Sequence, residues 1–147
     1  MRPLPAALLA LILPALSAAA GEAELLAAGR AACAGFEGGT FSLAPDAVAR
    51  TDLDGDGAAD TVIDERGFRC STAAALYCGT GGCRVHFLVG DSVQSRLAKG
   101  WTVTDWAGDR IVLLQVHGTE CGGTNLRRCY EALVWSEGAL RSLRDGR

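Results

Sequence analysis

Arg110-Ile111-Val112-Leu113-Leu114-Gln115-Val116-His117 is the most strand-like stretch of this chain, and its reading decides the fold. Aliphatic side chains dominate it, no Gly or Pro interrupts it, and its length suits a strand better than a helix. The apolar run is nearly continuous, which predicts a strand buried on both faces, lying under a helix.

Outward from this stretch the same punctuation recurs. On its C-terminal side, Tyr130 to Trp135 and Ala139 to Leu143 read as a hairpin turning at Ser136-Glu137-Gly138. On its N-terminal side, Arg84 to Val89 is a strand closed by Gly90-Asp91, followed by weaker strands at Val93 to Ala98 and Trp101 to Trp106. Ala47 to Thr51 and Thr61 to Glu65 flank an Asp-rich loop. Gly21 to Ala34 differs, being rich in Ala and Leu with Leu25, Leu26 and Gly29 on one helical face, and reads as a helix ending near Gly35. The expected fold class is α+β, mainly β: an antiparallel sheet with one N-terminal helix, stapled by disulfides. Trp101, Trp106 and Trp135 are expected to pack in its core.

The beginning of the chain reads as an export signal. Arg2 supplies a positive start, Leu4 to Leu16 is apolar, and Ser17-Ala18-Ala19-Ala20 offers small residues for cleavage after Ala20. The apolar run is short for a membrane span, contains Pro14, and is followed by Glu22 and Glu24 rather than stop-transfer cations. No Cys follows it closely enough for a lipid anchor. Residues 1–20 are therefore expected to be a signal peptide and residues 21–147 a single β-rich domain, periplasmic or secreted, with no membrane span after processing.

Six cysteines in an exported chain argue for three disulfides. Cys78 and Cys83 flank a Gly-rich turn, Cys121 and Cys129 flank a polar loop, and Cys33 with Cys70 follows by elimination. Charge is unevenly spread: Gly21 to Glu65 holds ten acidic residues against Arg30 and Arg50, a net of −8. Such a segment repels a phosphate backbone, and the later basic residues are scattered, which excludes nucleic acid as the expected partner.

The chemically specific feature is Asp52-Leu53-Asp54-Gly55-Asp56-Gly57-Ala58-Ala59-Asp60. Alternate carboxylates point around one centre, and calcium takes about six to eight oxygen ligands at about 2.3–2.6 Å without strict geometry. Gly57 permits the sharp turn that aims the Ala58 carbonyl inward, and Asp60 closes the shell. The loop resembles the Asp-x-Asp-x-Asp-Gly-x-x-Asp loop of FG-GAP/VCBS repeats. It is also similar to dockerin and EF-hand loops, but Ile63 stands where an EF-hand has its bidentate Glu, and Thr61-Val62-Ile63 favours a strand where a dockerin opens a helix. The resemblance implies side-chain ligands from Asp52, Asp54, Asp56 and Asp60, a backbone ligand from Ala58, and Ca2+ as the bound ion. It covers this loop alone, because a propeller of such repeats needs several four-stranded blades and the Phe-Gly and Gly-Ala-Pro elements are missing. The chain as a whole resembles small periplasmic proteins of proteobacteria.

No catalytic set is evident. His86 and His117 lie near cysteines, but structural zinc sites more often show paired Cys-x-x-Cys spacings. Cys121, within His117-Gly118-Thr119-Glu120-Cys121, is a nucleophile only if unpaired. The expected function is that of an exported, calcium-stabilised, non-enzymatic binding module whose partner is an envelope protein or an exported enzyme. The alternatives are an inhibitor of a periplasmic enzyme and a metal-dependent hydrolase using His86 or His117.

Overall fold

The structure, a computed structural model, describes residues 15–144, so most of the expected signal peptide lies outside the described residues. Helix α1 (Ala15–Gly35) begins earlier than the expected Gly21. The Ala-rich run after Pro14 has high helix propensity and nothing to break it, so it continues the helix. Eleven strands follow among the described residues: β1 (Phe41–Leu43), β2 (Val48–Thr51), β3 (Asp60–Asp64), β4 (Phe68–Cys70), β5 (Cys78–Gly79), β6 (Gly82–Val89), β7 (Ser92–Ala98), β8 (Gly100–Trp106), β9 (Asp109–Val116), β10 (Cys129–Ser136) and β11 (Ala139–Ser142).

The fold is mainly β, with every strand pairing antiparallel and one α-helix among the described residues. The strands form three sheets rather than the one expected: a β1–β4 pair, a four-stranded sheet ordered β11-β10-β9-β8, and a five-stranded sheet in which β2, β3 and β6 are neighbours and β5 and β7 flank β6. β1 and β4 are only three residues each, too short to show a period in the sequence.

The alternation of side chains along each strand sorts residues between two cores. Val62, Val85, Phe87 and Val89 face Val112, Leu114 and Leu133 across the space between the two larger sheets. On the opposite face of the five-stranded sheet, Ile63 and Leu88 pack with Phe68, Leu25, Leu26 and Tyr77 beneath α1. Phe41, Phe68 and Tyr77 meet there edge to face, with ring centres 5.1, 5.3 and 6.0 Å apart. The molecule is thus layered as helix, sheet, sheet.

This layering corrects the reading of β9. The strands covered on both faces are β3 and β6, which lie in the sheet beneath the helix. β9 turns Val112, Leu114 and Val116 into the core and leaves Ile111, Leu113 and Gln115 half-buried on an outer face. Trp106 likewise departs from expectation, standing 72% exposed at the end of β8, whereas Trp101 and Trp135 pack against the core.

Three disulfides close Cys33–Cys70, Cys78–Cys83 and Cys121–Cys129, and no described cysteine is free. The first ties α1 to β4, the second spans the β5–β6 turn, and the third joins the loop after β9 to the start of β10.

Candidate metal centre

The Asp-rich loop joins β2 to β3, whose last paired residues are Thr51 and Asp60. Its shape is set by one apolar residue and two glycines. Leu53 is fully buried in the core between the two larger sheets, which anchors the loop and holds Asp52 and Asp54 on either side of it. Gly55 and Gly57 adopt φ of 82° and 87°, a left-handed region that admits Gly without strain. Backbone N–H groups then orient the carboxylates: Gly55 and Gly57 donate to Asp52 at 2.7 and 3.1 Å, Asp56 to Asp54 at 3.1 Å, and Leu53 to Asp60 at 2.8 Å.

One oxygen from each of Asp52, Asp54 and Asp60 lies within 4.8 Å of the others, and all three residues are half-buried. The fourth carboxylate does not join them. Asp56 instead accepts the Ala58 N–H at 2.7 Å, in a local turn of its own. Three carboxylates at this spacing repel one another, and Arg110, paired with Asp52 at 3.7 Å, offsets part of that repulsion. The consequences differ by residue. Burial pushes the Asp60 carboxyl up; the Leu53 N–H opposes this, and the charges of Asp54, Asp56 and Asp52 add to the rise. At Asp52 burial also pushes upward, but the N–H groups of Gly55, Gly57 and Asp54 together with Arg110 outweigh it and leave the carboxyl below its ordinary range.

The donor set fits a hard cation. It consists of carboxylate oxygens without imidazole or thiolate, which suits Ca2+ or Mg2+ better than Zn2+. Each carboxylate oxygen has two lone-pair directions, so those that accept one N–H retain capacity for an ion. Beside the trio an open cleft of about 620 Å³ is lined by Glu22, Arg50, Asp54, Asp56, Asp60 and Trp135, and Arg50 bonds Glu22 of α1 at 2.6 Å.

The histidines lie in different layers. His117 accepts the Thr119 N–H at the end of β9. His86, on the helix side of β6, contacts Ser95 and Glu65 through its two ring nitrogens. Reading the sequence as separate strands missed this last grouping. A usable signal was present, since Ser95 pairs with His86 about the Gly90-Asp91 turn and residues opposite each other in a hairpin bring their side chains together.

No helix among the described residues is long and apolar enough to cross a membrane. No protein-family model matches the chain, and no curated protein or solved structure is significantly similar to it.

Proposed function

We propose that this chain is an exported interaction module whose Asp-rich loop is held in shape by calcium. The observation that carries this reading is the convergence of Asp52, Asp54 and Asp60, fixed by backbone N–H groups at the end of a hairpin whose Leu53 reaches the core. Three disulfides and the leader-like first twenty residues support a periplasmic or secreted location. Ca2+ in this role neutralises clustered charge and braces the loop against the β2–β3 hairpin. The partner is an envelope protein or an exported enzyme. The outer face of the four-stranded sheet supports an interaction role, because Ile111, Leu113, Val134 and Leu143 line an apolar groove of about 480 Å³ beside the exposed Trp106.

Thermal unfolding tests the metal claim. Melting temperature is expected to rise when millimolar calcium is added to chelator-treated protein and to stay unchanged with potassium at matched ionic strength. Equal melting temperatures with calcium and with chelator would remove calcium from the account.

A further inference from the structure

Ser95, His86 and Glu65 form a hydrogen-bonded line at the β7 edge of the five-stranded sheet. Ser95 Oγ lies 2.7 Å from His86 Nδ1, and His86 Nε2 lies 3.0 Å from Glu65 Oε1. We propose that Ser95 is a nucleophile for acyl transfer, with His86 as its general base and Glu65 as the residue that positions the ring, acting on small carboxylic esters. This inference is independent of the calcium loop.

Proton bookkeeping fixes the direction of the line. A Glu carboxylate only accepts, so in the neutral ring Nε2 carries the hydrogen and Nδ1 presents its lone pair. That lone pair accepts the Ser95 hydroxyl hydrogen, the arrangement a base needs to take a proton from an attacking oxygen. Accessibility sets the nucleophile apart from its partners. Ser95 is exposed, His86 is 3% exposed, and the Glu65 side chain is 21% exposed. The nucleophile therefore meets solvent while its base is shielded.

The backbone supplies a donor beside the nucleophile. Val89 and Ser92 close the β6–β7 hairpin around two turn residues, which makes 89–92 a hydrogen-bonded pair and, by alternation, 86–95 a non-hydrogen-bonded one. The Ser95 N–H thus faces away from β6, and among the described residues β7 pairs with no other strand. It is placed to meet the oxyanion that forms when Ser95 adds to a carbonyl. Val93 and Leu97, 48% and 60% exposed, flank Ser95 and offer an apolar bed for an acyl chain. Close approaches bound this bed: a Cβ on Gly21 of α1 would meet Val93 at 3.3 Å, and one on Gly81 of the Cys78–Cys83 loop would meet Leu97 at 2.9 Å.

In the acylation step the Ser95 Oγ–C bond forms as the hydroxyl proton passes to His86 Nδ1. The bond from the carbonyl carbon to the alkoxy oxygen then breaks, and the leaving alcohol takes that proton. Water repeats the sequence on the acyl-Ser95 ester, releasing the carboxylic acid and restoring the serine.

Labelling with a fluorophosphonate probe, which joins phosphorus to an activated serine and expels fluoride, tests the proposal on the intact protein. The expected result is one adduct, mapped to Ser95 by peptide mass spectrometry and absent in S95A. H86Q is expected to label about 100-fold more slowly. E65Q is expected to lower kcat for 4-nitrophenyl acetate without changing KM, a split that a purely structural role would not produce. Absence of a Ser95 adduct in the folded wild type would overturn the proposal, as would unchanged labelling in an H86Q protein with wild-type melting. If H86Q does not fold, E65Q decides: an unchanged kcat overturns the assignment and a lowered one supports it.

Discussion

Trp101 Nε1 donates a 2.9 Å hydrogen bond to Asp64 Oδ2, joining the four-stranded sheet to the five-stranded one through a buried carboxylate. The same carboxylate accepts Arg66 N at 2.9 Å, Nε at 2.8 Å and Nη2 at 2.5 Å, so Asp64 is satisfied both from the four-stranded sheet and from the turn that follows its own strand. The Asp64 hydrogen bond raises the Arg66 pKa, followed by the opposing effect of burial and the added charges of Asp64 and Asp46. W101F keeps the ring edge on Phe87 and loses one bond, so it is expected to cost about 1 kcal/mol. D64A leaves several donors without their acceptor and is expected to cost about 2–3 kcal/mol, discounted because Arg66 reaches solvent. Urea unfolding of both variants checks the order.

At the Asp-rich loop, the substitutions separate by position. D52N, D54N and D60N are each expected to weaken calcium binding by about tenfold or more, equivalent to about 1.4 kcal/mol. D56N is expected to change it far less, because the Asp56 carboxylate lies outside the cluster that Asp52, Asp54 and Asp60 form. Without calcium, D60N should melt a few degrees higher than wild type: Asn still accepts the Leu53 N–H while removing a charge that burial and three neighbouring carboxylates disfavour. Melting curves with and without chelator give both readings.

Tyr77 predicts a response to alkali. Its hydroxyl donates to Gly29 O at 2.8 Å, fastening α1, and burial followed by the charge of Glu65 pushes its pKa upward. The folded state therefore favours the neutral phenol. This contribution is complete below the unfolded value of about 10 and is lost as pH rises through the higher folded value. Y77F is expected to cost about 1 kcal/mol at neutral pH and to abolish this alkaline component. Stability measured by denaturant from neutral pH to beyond the phenol range tests the sign.

The disulfides should rank by the chain they enclose. Cys33–Cys70 is separated by 37 residues and Cys78–Cys83 by 5. Loop-closure entropy then assigns about 4 kcal/mol to the first and about 2 kcal/mol to the second. Paired Cys-to-Ala variants compared by urea unfolding should show the longer loop costing more.

Much of this architecture was legible in the sequence because its determinants are local. Gly90-Asp91 and Ser136-Glu137-Gly138 mark hairpins through turn chemistry, and Cys78 with Cys83 sit opposite each other across a tight turn. The place of β9 was not legible. An apolar run such as Ile111-Val112-Leu113-Leu114 reads alike whether its second face is covered or open, and only long-range packing decides that α1 covers β6. At the candidate metal centre the spacing of acids could be read directly. That Asp56 turns to Ala58 while Asp60 joins Asp52 and Asp54 depends on hydrogen bonds no spacing rule contains. Glu65 reaches His86 only because β3 and β6 lie side by side, a long-range pairing of the same kind.

Calorimetric titration of calcium into chelator-treated wild-type protein, with D52N/D60N alongside, addresses the metal centre most directly. A single site is predicted, with a dissociation constant of about 10⁻⁴–10⁻³ M for a module of this type and its heat absent from the double variant. A flat wild-type isotherm at millimolar calcium, or the same heat in wild type and variant, would contradict it.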